Sequence, residues 1–249
     1  MNLQEITYIV AGQTFTGYLA DGSGGRKAPG ILVAHEGTGM TEHTKERTVM
    51  LARLGYVALA MDIFGETPST PEQRRSLTQS LRADLATLRL RANAALNLLK
   101  AQAHVDAGRT AAIGFCFGGT TVLELARSGA SVACVVGFHA GLSTSAPQDA
   151  AQIKGKVLVC LGAADPIVPA EQRDGFVAEM TAARVDWQMH LYGNVGHSFT
   201  NRWADALDLP GFAYDAGADA RSWRAMRNLF DEVFGVEDGR ALPATSARP

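Results

Sequence analysis

Gly114-Phe115-Cys116-Phe117-Gly118-Gly119 is the stretch whose reading decides the fold. An apolar run, Thr110 to Phe115, leads into it, and a helix-compatible segment, Thr120 to Arg127, leaves it. A strand that turns sharply into a helix, with glycines two before and two after the turning residue, is a nucleophile elbow. Cysteine stands here where serine is usual. The turn is tight, and the glycines keep Cβ atoms out of it. The helix that follows points its N-terminus at the sulfur, which favours thiolate. Alone, the stretch also fits a buried cysteine in a glycine-rich strand-to-helix turn of the phosphate-cradling kind. The rest of the chain decides between the two.

An elbow nucleophile needs an acid and a histidine, in that chain order. Lys156 to Leu161 is a short apolar, β-branched run and reads as a buried strand. It ends at Gly162-Ala163-Ala164-Asp165-Pro166, which sets a carboxylate just past a strand end. Asp186 to Tyr192 alternates apolar and polar residues like an edge strand. It runs into Gly193-Asn194-Val195-Gly196-His197-Ser198-Phe199, a histidine on a loop after the last strand. In a parallel sheet these three loops share the carboxyl edge. The expected triad is therefore Cys116, His197 and Asp165.

The chain here resembles the dienelactone hydrolase family of α/β hydrolases. The resemblance rests on Gly114 to Gly119, on Asp165 followed by Pro166 and Val168-Pro169, on Gly196-His197-Ser198-Phe199, and on His35-Glu36-Gly37 after the run Gly30 to Ala34. It spans about Ile31 to Phe234. It implies an α/β-hydrolase fold, a mostly parallel central sheet with helices on both faces. It implies a cysteine-dependent hydrolase of small esters or lactones working through an acyl-enzyme. It also implies that Glu36 contacts the resting thiol, favours its protonated form, and helps ionise it when substrate arrives. Backbone N–H groups of Phe117 and Gly37 are the expected oxyanion donors. The chain departs from the family where an arginine four residues past the histidine grips a carboxylated lactone. Asn201 stands there, with Arg202 next. A neutral ester is therefore the expected better substrate, with an arginine from the Arg74 to Arg82 region, such as Arg82, the remaining candidate for a charged one. His35 and His139 follow core strands and are candidate pocket walls. A thioesterase or acyltransferase would use the same triad, and a redox cysteine is the remaining alternative.

Length and composition agree with this. A chain of 249 residues, 47% hydrophobic and 19% charged, suits one α/β domain over 1–236 with a polar, disordered tail over 237–249. A net charge of −2 gives no basic surface for nucleic acid or an anionic membrane. The start, Met1-Asn2-Leu3-Gln4-Glu5, has neither a basic region nor a long apolar run. Cys116, Cys134 and Cys160 are an odd set, better suited to a reducing cytoplasm than to a disulfide scaffold. No C-x-x-C pair or histidine cluster suggests a metal, and no cofactor is expected. The expected partner is a small-molecule ester or lactone, with the protein a monomer or homodimer.

Elsewhere Ile6–Val10 and Thr14–Ala20 read as an antiparallel hairpin, and Thr44–Leu54 as a helix ending near Gly55. One long helix is expected from Pro71 to about Ala103, with its arginines mostly on a solvated face. His43, His104 and His190 read as surface or strand positions. Residues 201–217 form a glycine- and aspartate-rich excursion that could wall the pocket.

Overall fold

The computed structural model describes residues 2–237 and 240–241. Its opening hairpin is β1 (Gln4–Val10) and β2 (Gln13–Asp21), antiparallel and turned through Ala11 and Gly12, both at positive φ. Then follow β3 (Ala28–Ala34), α1 (Glu42–Arg53), β4 (Val57–Met61), α2 (Pro71–Ala83), α3 (Leu85–Lys100), β5 (Val105–Phe115) and α4 (Phe117–Arg127). The second half holds β6 (Cys134–Phe138), β7 (Lys156–Gly162), α5 (Ala170–Ala182), β8 (Trp187–Tyr192) and α6 (Ala216–Phe234).

These strands make one eight-stranded sheet in the order β1-β2-β4-β3-β5-β6-β7-β8. From β4 to β8 all neighbours are parallel, and β2 joins β4 antiparallel. A parallel sheet must be covered on both faces, so its strands are apolar throughout. β3 shows this directly. Leu32 and Ala34 pack with Leu88, Leu99 and Leu123 of α3 and α4, whereas Ile31 and Val33 pack on the other face with Leu51, Met226 and Phe230 of α1 and α6. This is the α/β-hydrolase fold, as the sequence predicts.

Two expectations need correction. The helix after Pro71 is broken at Asp84 (φ −115°, ψ 77°), whose carboxylate accepts the N–H of Thr87 at 3.0 Å and starts α3. Aspartate is a better N-cap than helix interior, and it takes the cap. The arginines beyond the break are not a solvated face either. Arg89 pairs with Glu124 and Asp149, and Arg91 donates to the carbonyls of Ile63 and Phe64. Of the tail, Val236–Glu237 pairs with Arg240–Ala241. Residues 238–239 and 242–249, on which the rest of the disordered-tail expectation falls, lie outside the described residues.

The parallel topology carries the loops after β3, β5, β6, β7 and β8 to one edge. Glu36, Cys116, His139, Asp165 and His197 stand in them.

Candidate active site

The elbow is built as a strained turn. Cys116 sits at φ 53°, ψ −114°, between β5 and α4. Such a conformation persists only when its surroundings over-determine it. A Cβ on Gly114 would lie 2.1 Å from the carbonyl oxygen of Gly118, and one on Gly118 2.1 Å from that of Ala34. The Cys116 N–H is shared between the Phe138 carbonyl (2.9 Å) and His139 Nδ1 (3.1 Å). Phe117 is the first residue of α4, so its own N–H has no acceptor within the helix. Gly37 lies alongside, since a Cβ there would sit 3.9 Å from that of Phe117.

His197 and Asp165 are brought together. Asp165 Oδ2 lies 2.7 Å from His197 Nδ1, and both residues are buried. Asp165 is fixed in turn, its Oδ1 accepting the Ile167 N–H at 2.7 Å. An ionised carboxylate only accepts, so Nδ1 carries the hydrogen and Nε2 is left for chemistry. His197 Nε2 makes no hydrogen bond to the described residues. Burial disfavours charge on this ring, but the neighbouring Cys116 sulfur and the Asp165 carboxyl together outweigh it and raise the pKa to about 10. The excursion after the histidine clamps it. The His197 N–H donates to the Gly211 carbonyl at 2.7 Å, and the Phe212 ring packs edge-on at 4.7 Å.

Glu36 is buried beside this pair, but its polar contacts are with other residues than Cys116. Asn201 Nδ2 donates to its Oε2 at 2.7 Å, and His43 Nδ1 is 3.5 Å from the same oxygen. Burial works against its charge. The nearby His43, then the hydrogen bond from Asn201, prevail and hold the carboxyl below its ordinary range. Its Oε1 has no hydrogen-bond partner, and Glu36 lines the same cleft as Cys116. His43, expected at a surface or strand position, lies on α1 and is 2% exposed. The spacing of His43 and Arg47 on one face of α1 was the available signal, since Arg47 Nε donates to His43 Nε2 at 3.3 Å.

The remaining candidates separate. His35 is fully buried and satisfied, its Nε2 accepting the Ile63 N–H and its Nδ1 donating to the Glu36 carbonyl, so it does not reach the cleft. His139 is also fully buried. Burial first, then the positive charge around it, holds it neutral. Arg202 pairs with Glu46 and covers Trp203, outside the cleft. Arg82 does line the cleft, its guanidinium 5.4 Å from the Phe117 ring centroid. Arg74 and Arg75 line it as well, on the same helix and within the stretch the sequence offers for a charged substrate. Leu209 and Phe212 of the excursion complete an apolar side. The cleft holds about 400 Å³ around Cys116. Among the described residues no group of side chains could hold a metal ion, and no helix is long and apolar enough to cross a membrane.

A mostly parallel sheet with an elbow at its carboxyl edge and a buried Asp–His pair beside it defines an α/β hydrolase. The sequence matches the dienelactone hydrolase family over residues 15–234, and the chain belongs to that family. A solved structure named m3DLH is 51% identical, with a TM-score of 0.90 over 93% of this chain and 98% of that one. A dienelactone hydrolase-like promiscuous phosphotriesterase from metagenomic libraries is 42% identical, with a TM-score of 0.88 over the same shares. The carboxymethylenebutenolidase of Pseudomonas putida is 27% identical over 200 residues, 76% of this chain and 81% of that one.

Proposed function

We propose that the chain hydrolyses small esters or lactones through an acyl-enzyme on Cys116. The observation that carries this is a cysteine held at φ 53° at the mouth of a cleft, with a buried His197–Asp165 pair beside it. The Cys116 thiol passes its proton to His197 Nε2, the thiolate attacks the acyl carbon, a C–S bond forms, and the carbonyl electrons move to oxygen. The N–H groups of Phe117 and Gly37 receive that oxyanion, each such donor being worth about 3 kcal/mol in the transition state. Collapse of the adduct breaks the C–O bond, and His197 Nε2 protonates the departing alkoxide. A water then attacks the thioester while His197 takes its proton, and the acid leaves with the thiolate restored. Asp165 holds Nδ1–H throughout.

The substrate reading changes with the structure. Asn201 carries no charge, but Arg74, Arg75 and Arg82 of α2 all line the cleft. A carboxylate entering a partly desolvated site needs such partners. We therefore favour an ester or lactone bearing an anionic group. The same triad would serve a thioesterase or acyltransferase, where only the leaving group or the acceptor differs. Three free thiols fit a reducing compartment. The test compares kcat/KM for a carboxylated lactone and a neutral ester of equal size, in the parent protein, Arg82→Ala and Cys116→Ala. The expected result is preference for the charged substrate, weakened by Arg82→Ala, and no turnover by Cys116→Ala. Equal use of both substrates by all three proteins would refute substrate and mechanism together.

A further inference from the structure

We propose that Thr200 is a positioning residue, the centre of a hydrogen-bond chain that runs from the elbow amide to His43, which faces Glu36, and ties the four loops around the nucleophile together. The inference rests on the reading of Cys116 as nucleophile.

The direction of the chain is fixed at both ends. At one end the Cys116 N–H can only donate, and His139 Nδ1 receives it at 3.1 Å. The hydrogen of the neutral His139 ring is then on Nε2, 2.8 Å from Thr200 Oγ1. Having accepted there, the Thr200 hydroxyl is free to donate to His43 Nε2, at 3.4 Å. That nitrogen already receives Arg47 Nε–H at 3.3 Å, so it is an acceptor and the His43 hydrogen is on Nδ1. Nδ1 faces Glu36 Oε2 at 3.5 Å, an electrostatic contact longer than a hydrogen bond. At this end the ionised carboxylate can only accept. The ring hydrogens of His139 and His43 therefore each have one place, and the Thr200 hydroxyl shares the His43 Nε2 lone pair with Arg47.

The chain also spans the architecture. Cys116 follows β5, His139 follows β6, Thr200 sits three residues past His197 after β8, and Glu36 follows β3. All but Cys116 are buried: Glu36, His43, His139 and Thr200 are at most 3% exposed. His139 itself sits at positive φ (39°), with its ring 5.1 Å from that of His197. The Thr200 carbonyl is anchored separately, by Arg47 at 2.6 Å, and Arg47 is paired with Asp219 of α6. The loop can thus keep its path without the hydroxyl. What the hydroxyl adds is the link between the two rings, and with it the orientation of the elbow peptide relative to His197.

Thr200→Val keeps the side-chain shape and deletes the hydroxyl, whereas Thr200→Ser keeps the hydroxyl and loses a methyl. If the chain positions the site, Val lowers kcat/KM on a p-nitrophenyl ester about tenfold, or about 1.4 kcal/mol. It also changes the rate at which iodoacetamide alkylates resting Cys116, and Ser restores both within about threefold of the parent. A packing role gives the reverse order, with Val at or near parent values and Ser impaired, and overturns the proposal. If Val does not fold, Ser against the parent still decides through the alkylation rate, which must stay at the parent value. Cys116→Ala run alongside separates the two readings. Activity in that variant defeats the nucleophile assignment, whereas an inactive Cys116→Ala with a fully active Thr200→Val defeats only the hydrogen-bond chain.

Discussion

Replacing Asp165 with asparagine isolates the electrostatic part of the site from its shape. Asp165 is held twice, by the Ile167 N–H on Oδ1 at 2.7 Å and by His197 Nδ1 on Oδ2 at 2.7 Å. An asparagine oxygen can keep the first bond. Its NH2 group then faces His197 Nδ1, which must become the acceptor. The ring hydrogen moves to Nε2, and the base faces Cys116 with no lone pair. In serine triads the same change costs about 10⁴ in kcat with the geometry intact. Here the loss should be smaller. The charge that holds up the His197 imidazolium comes first from Cys116 and only then from Asp165, and the larger contribution survives the substitution. We expect a fall of about 10²–10³ in kcat/KM, or about 3–4 kcal/mol. Initial rates on p-nitrophenyl acetate from pH 6 to 10, beside a thermal melt, measure it. A folded Asp165→Asn protein within about threefold of the parent would refute the argument, because the pair would then not set the tautomer of His197.

Cys116→Ser should fold normally and lose most of its ester turnover, since a hydroxyl must be deprotonated as it attacks; serine matching cysteine on each ester of the panel would show the thiol to be dispensable. Glu36→Gln should speed alkylation of Cys116 by iodoacetamide at neutral pH by removing a neighbouring negative charge, and a rate at or below the parent's would mean that Glu36 does not act on the sulfur. The same variant has a pH signature. The Glu36 carboxyl lies below its ordinary value of 4.5 in the folded state, so its stabilisation is present above that value and lost as pH falls through the lowered one. The Tm gap between parent and variant should shrink below about pH 4.5, and a gap that widens there contradicts the assignment. Arg127→Met should cost about 3–5 kcal/mol in urea unfolding, because it leaves the fully buried Glu124 and also Glu179 short of a partner; a loss under about 1 kcal/mol would mean that the remaining partners satisfy both carboxylates.

The parts legible in the sequence were those encoded locally. A strand, a turn and a helix in immediate succession announced the elbow, because its glycines sit where the backbone of Gly118 and Ala34 comes within van der Waals distance. Asp165 and His197 were readable because each follows an apolar run whose end fixes its place on the sheet edge. What stayed hidden was set by contacts between distant segments. His43 lies on a helix whose polar residues look solvated, and only folding brings Glu36 and Thr200 to it. The break at Asp84 sits in a stretch of good helix formers, where the capping carboxylate is a weak signal. The guanidinium groups of Arg89 and Arg91 find their partners 27 to 60 residues away. Asn201 and Arg202 differ by one position, yet Asn201 turns inward to Glu36 and Arg202 outward to Glu46.

The central claim is that the acyl group passes through one sulfur. Intact-protein mass spectrometry after rapid quench with a slow ester tests it most directly, with peptide mapping to place the adduct. One acyl mass on Cys116 that decays at the rate of turnover is the expected result. An adduct on Cys134 or Cys160 with Cys116 free, or full turnover by Cys116→Ala with no adduct formed, would contradict it.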